Sequence, residues 1–151
     1  MWSAGLRLPR FEEWRDGLGG AVGLWDFAAR EGGSTLALAF ASLFWPRFVE
    51  VDSCILLAER YDSAAFQQWR EKLGDQRDAI ERTVNHVHLW DLFDPESEGV
   101  PEEMLDALAD VLADTWPVAL RKQFPDRVGV AIVTRDGEDY GPTVTIFTRL
   151  A

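Results

Sequence analysis

The spacing of hydrophobic and polar residues predicts a mixed α+β chain. Helical spacing predicts short helices near 10–16 and 21–30, a helix from Ser34 to Trp45, helices between Asp62 and Val84, and a long helix after Pro101. Strand spacing predicts strands at 48–58, 87–93, 128–133 and 143–148. The predicted fold is therefore α+β: a roughly four-stranded, mixed or mostly antiparallel sheet with helices packed against it, ending in a β-hairpin.

Finer features of the pattern predict where each element lies. The 48–58 segment ends in a continuous apolar run, which is typical of an inner strand buried on both faces. The 128–133 strand is apolar on both faces and is predicted to be central, whereas 143–148 is predicted to lie nearer an edge. The 34–45 helix is apolar on nearly all sides, which predicts a central position. Pro117 is predicted to kink or break the long helix.

Length and composition add the domain organisation. The 151 residues suit one domain, 1–151, with a Gly- and Trp-rich helical segment at 1–33 and a main α+β core at 34–151. The single cysteine, Cys54, excludes an intramolecular disulfide and lies in an apolar strand, where thiols are usually buried and inert. The scarcity of lysine suggests a bacterial origin. With neither a signal-peptide pattern nor a membrane-length apolar run, we expect a cytoplasmic protein without a membrane partner.

The negative charge is concentrated in one stretch. Between Arg82 and Arg121 there are nine acidic residues and no lysine or arginine, so this stretch carries nine of the eleven net negative charges. Within the predicted long helix, four acids are spaced by four residues and share one face: Glu102, Asp106, Asp110 and Asp114. Such a face is typical of a solvated surface and also of a docking surface for a basic protein. The same charge argues against direct nucleic-acid binding.

The chain's only histidines, His86 and His88, suggest different chemistry. On a strand they would point to the same face, as two ligands of a metal such as zinc would. Glu50 and Asp52 would likewise share a face of the preceding strand, and the four side chains could converge if the two strands are neighbours. Strand parity also places Trp90 on the histidine face, where an exposed tryptophan would suit a partner-binding hot spot.

These patterns support two main hypotheses about function. The first is a non-enzymatic acidic interaction module without a cofactor, of the inhibitor or immunity/antitoxin type, that docks a basic partner through the 91–114 segment, with Trp90 contributing. The alternative is a small metal-binding protein or metal-dependent hydrolase that uses His86, His88, Glu50 and Asp52. A ligand-binding domain with a tryptophan-lined pocket is a third possibility. No P-loop or dinucleotide-binding motif is present, and the oligomeric state stays open.

Overall fold

A computed structural model describes residues 6–93, 102–135 and 141–150, and it confirms the α+β class. The helices are α1 (Pro9–Gly17), α2 (Leu24–Glu31), α3 (Gly33–Phe44), α4 (Ser63–Leu73), α5 (Arg77–Val84), α6 (Leu89–Leu92) and α7 (Glu102–Gln123), with a 3-10 turn at Ala58–Arg60. The strands are β1 (Phe48–Val51), β2 (Cys54–Leu57), β3 (His86–His88), β4 (Arg127–Thr134) and β5 (Thr143–Leu150). The predicted helix start at Gly99–Pro101 and most of the predicted hairpin loop fall outside the described residues.

The predicted single strand at 48–58 is in fact a hairpin. Asp52 and Ser53 both have positive φ angles, 47° and 66°, and form a tight turn between β1 and β2. Positive φ at both central residues matches the right-handed twist of a two-residue hairpin, and aspartate tolerates this region better than most residues. All four β2 residues are buried, which confirms the expected burial at the end of this segment.

The other three strands form a second sheet, so the predicted four-stranded sheet is wrong. Its strand order is β3–β5–β4, and both pairings are antiparallel. β5 is therefore central and β4 is an edge strand, the reverse of the predicted positions. The predicted 87–93 strand is also shorter than expected, because the chain turns into the short helix α6 at Leu89.

The main core lies between α7 and the three-stranded sheet. α7 buries Leu105, Ala109, Leu112 and Trp116 against Ile146 and other inward residues of β5. The helix continues through Pro117, so the expected break is absent. A Cβ atom at Gly129 would lie 3.1 Å from the Pro117 Cα, which is why a glycine suits the point where β4 passes the proline turn.

Side chains from α5 join the two sheets where strands do not. The fully buried Glu81 accepts hydrogen bonds from the backbone N–H groups of Ile55 in β2 (2.8 Å) and Thr148 in β5 (2.6 Å). The Thr148 hydroxyl donates to the same carboxylate at 2.9 Å. Glu81 thus satisfies donors of two strands that belong to different sheets.

Asn85 makes an equivalent bridge one helical turn later. Its Oδ1 accepts from the Leu57 N–H (2.9 Å), and its Nδ2 donates to the carbonyl oxygens of Ile55 (2.9 Å) and Ile146 (3.1 Å). The side chains of Glu81 in α5 and of Asn85, which follows α5, therefore replace part of the ladder that a continuous sheet would contain.

The three N-terminal helices lie on the surface of this core. None of them has a buried residue, and Trp25 of α2 is 91% exposed. The apolar helix α3 was predicted to be central, yet its Leu38 is 72% exposed. The C-terminal end of α3 packs against the core through Leu43 and Phe44. None of the helices in the described ranges is long and apolar enough to cross a membrane.

Candidate functional site

The four carboxylates predicted to share a face of the long helix lie on α7, and Arg135 contacts two of them. We call Glu102, Asp106, Asp110 and Asp114 the acidic row. The Arg135 Nε lies 3.3 Å from a carboxylate oxygen of Asp106, and its Nη2 donates to Asp110. Arg135 follows the last residue of β4, so this positive charge comes from outside the acidic stretch. The row is therefore partly neutralised, and it binds a guanidinium within the chain itself.

An apolar groove of about 300 Å³ lies beside the acidic row. We call it the α7 groove, and its lining residues are Leu6, Leu8, Phe44, Met104, Ala107, Leu108 and Val111. Ala107 precedes Asp110 by three residues, and Val111 precedes Asp114 by the same interval. Residues three apart are surface neighbours on a helix, so the groove borders the acidic row at Asp110 and Asp114.

The two histidines lie together on β3, as their spacing predicts. Their ring centroids are 4.9 Å apart, and the His86 Nδ1 is 2.7 Å from the Thr145 Oγ1 on the neighbouring strand. His88 pairs with Thr143, and in the described part of the chain neither the His88 Nδ1 nor the Thr143 Oγ1 has a hydrogen-bond partner. A metal centre would need further donors beside this pair.

The predicted carboxylate partners of the histidines lie elsewhere. Glu50 is on β1, in the other sheet, and its Oε1 is 3.1 Å from the Arg127 guanidinium. Asp52 lies in the hairpin turn, 4.0 Å from Arg70, so it does not continue the strand that carries Glu50. Among residues 6–93, 102–135 and 141–150, no three His, Cys, Asp or Glu side chains are grouped to hold a metal ion.

Trp90 belongs to the short helix α6, so strand parity does not set its direction. Its ring is partly buried and packs against the main core. Its indole nitrogen lies so close to Gly141 that a Cβ atom there would be 1.7 Å away. Gly141 also has a positive φ of 71°, which favours glycine. Trp90 therefore has a packing role against the chain that enters β5.

Cys54 is fully buried in the second core cluster, with Leu56, Phe66 and Ile80. Burial raises the pKa of the Cys54 thiol, and the nearby Glu81 carboxylate raises it further. Thiolate is the nucleophilic form, so this environment opposes reactivity. The expectation that Cys54 is buried is confirmed.

The α7 groove was not predicted from the sequence. The sequence contains part of the information needed to predict it, because Met104, Leu108 and Val111 follow helical spacing on the face beside Leu105 and Leu112. Leu108 continues the helical spacing of Leu105 and Leu112, yet it is only partly buried and lies at the groove. The other wall depends on where Leu6 and Leu8 pack, and helical periodicity cannot predict this long-range contact.

Comparisons with protein-family models, with curated proteins and with solved structures find no match to this chain.

Proposed function

We propose that this protein is a non-enzymatic interaction module that binds a basic amphipathic segment of a partner protein along α7. The observation that carries this proposal is the shared border between the acidic row and the α7 groove. A partner helix with leucine-like side chains on one face and lysine or arginine beside them would fill the groove and meet the carboxylates together. Helix-in-groove recognition commonly combines these two features.

Each half of this surface contributes a different part of binding. Burial of apolar side chains in the groove contributes most of the affinity, at about 25 cal/mol per Å² of apolar surface. The carboxylates select a basic partner and accelerate encounter, because a row of one charge focuses the potential. A protein that uses such a surface to cover a basic active-site groove would act as an inhibitor or immunity/antitoxin-type protein.

The Arg135 contacts support this assignment of partner chemistry. Asp106 and Asp110 already hold one guanidinium, that of Arg135. A basic partner would offer equivalent groups, so Arg135 is an internal competitor for two of the four carboxylates. A binding surface predicts that removal of this competitor strengthens binding of a basic partner, whereas an acidic face that serves solubility alone predicts no such change.

Replacing Arg135 with glutamine should therefore strengthen binding of a basic amphipathic peptide. The probe is a synthetic helix of leucine, lysine and arginine, titrated by calorimetry at low salt. We expect about threefold tighter binding, since a partly exposed ion pair contributes up to about 1 kcal/mol. Added salt should reduce the difference, because these charges are exposed to solvent.

Arg121→Gln is the matched control for this experiment. Arg121 is exposed at the C-terminal end of α7, so this variant changes the net charge by the same amount away from the contacted carboxylates. A second peptide with the same composition in scrambled order, which has no apolar face, tests the groove. Equal affinities for Arg135→Gln and Arg121→Gln, or for the ordered and scrambled peptides, would contradict the proposal.

A further inference from the structure

An apolar cavity of about 250 Å³ lies between the C-terminal half of α3 and the main core. Its inner wall is formed by side chains that are almost completely buried: Leu57, Val87 and Trp116. Ala39 and Leu43 of α3 cover it from the outside. It shares no lining residue with the α7 groove, so it is an independent feature of the molecule.

Two polar side chains of the cavity wall, those of Trp116 and Ser42, are already hydrogen-bonded within the protein. The Trp116 Nε1 donates to the Leu43 carbonyl at 2.9 Å, and the Ser42 hydroxyl donates to the Ala39 carbonyl at 2.7 Å. Water in such a space would find few partners, so the cavity favours an apolar occupant. A cavity of about 150 Å³ can bind benzene, so this one has room for an apolar body of roughly ten non-hydrogen atoms.

Two arginines give the cavity a charged rim. Arg47 follows α3, Arg60 ends the 3-10 turn after β2, and both are exposed residues that line the cavity. Neither forms an ion pair with another residue in the described ranges. Glu59 also contributes to the rim, so the three side chains together carry one net positive charge.

We propose that this cavity binds a small apolar carboxylate, with its apolar body against Trp116 and its carboxylate at Arg47 and Arg60. The guanidinium group suits this role because it can donate two parallel hydrogen bonds to one carboxylate. The net negative charge of the chain repels anions at long range, so selection depends on the short-range contacts at the rim. This ligand site is separate from the acidic row and the α7 groove.

The test compares three probes that share one alkyl chain and differ in their charged end: decanoate, decanol and decyltrimethylammonium. Isothermal titration should show decanoate binding roughly tenfold more tightly than decanol, because each exposed arginine contact adds a modest favourable contribution. The cationic probe should bind most weakly. Equal affinities for decanoate and decanol would overturn the proposed recognition by arginine.

Three variants locate the site. Arg47→Gln combined with Arg60→Gln should weaken decanoate binding roughly tenfold and leave decanol binding unchanged. The control is Arg121→Gln, which lies outside the cavity and should change neither probe. Ala39→Phe fills the space under α3 and should abolish binding of both probes while the thermal unfolding transition is retained. Wild-type binding in the folded Ala39→Phe protein, or in the double arginine variant, would overturn the proposal.

Discussion

Replacing Glu81 with alanine is expected to lower the free energy of unfolding by about 4 kcal/mol, close to the upper end for a single substitution. The substitution leaves the Ile55 and Thr148 N–H groups and the Thr148 hydroxyl without their acceptor in a site that solvent does not reach. Each unpaired buried donor costs about 1–3 kcal/mol. Urea unfolding followed by circular dichroism measures the change.

Two further variants give this experiment its controls. Glu71→Ala removes an exposed glutamate from α4, and its effect should stay within about 0.5 kcal/mol. Glu81→Gln keeps one carbonyl acceptor and should fall between the wild type and Glu81→Ala. If Glu81→Ala and Glu71→Ala have equal effects, the carboxylate does not hold the two sheets together.

Replacing Trp116 with alanine is the second substitution with a large expected effect, a loss of about 4 kcal/mol. The ring is only 2% exposed and lies at the centre of the main core. Its removal enlarges the space beside the cavity under α3 and also deletes the hydrogen bond to the Leu43 carbonyl. Trp116→Phe keeps most of the buried ring and should lose about 1.5 kcal/mol.

The matched control for Trp116 is Trp25→Ala. Trp25 is a tryptophan of the same size at 91% exposure on α2, so its loss should change the unfolding free energy by less than about 0.5 kcal/mol. Both variants are measured by urea unfolding, with far-ultraviolet circular dichroism as the signal. Equal losses in the two variants would contradict the assignment of Trp116 to the core.

The elements that local sequence signals could predict are those with strong periodicity and clear ends. Leu105 and Leu112 of α7 are buried, as their helical spacing indicates, and Ala109 shares the buried face. Asp62 caps α4 by accepting a hydrogen bond from the Ala65 N–H at 2.8 Å, as N-cap chemistry predicts. The terminal antiparallel pair, β4 and β5, is also present. In each case neighbouring residues along the chain carry the information.

The sequence pattern predicts the structure wrongly where a feature depends on contacts between distant residues or on a turn with weak sequence signals. The β1–β2 turn uses Asp52 and Ser53 without a glycine, so the apolar residues on either side look like one strand. Glu81 and Asn85 look like ordinary polar residues at the end of a helix, yet they bridge two sheets. Their role depends on strands that are distant in sequence.

The exposed helix α3 is the largest departure from the hydrophobic pattern. An apolar helix is normally buried, because transfer of apolar side chains from water is favourable. Here α3 covers the cavity with one side and leaves Leu38 in solvent on another. The two parts of the candidate site differ in the same way. The acidic row could be predicted from the sequence of α7 alone, whereas the groove also depends on where Leu6 and Leu8 pack.

The most direct test of the proposed binding of a basic segment along α7 is charge reversal in the acidic row. In the first variant, lysine replaces Asp106, Asp110 and Asp114. In the second variant, which has the same net charge, lysine replaces three exposed acids elsewhere: Glu13, Glu71 and Asp126. Calorimetric titration with the basic amphipathic peptide should show a loss of affinity at least roughly tenfold greater in the first variant, because close charge pairs set specificity. Equal losses in two folded variants would show that the peptide responds to net charge alone, and would contradict a binding site on α7.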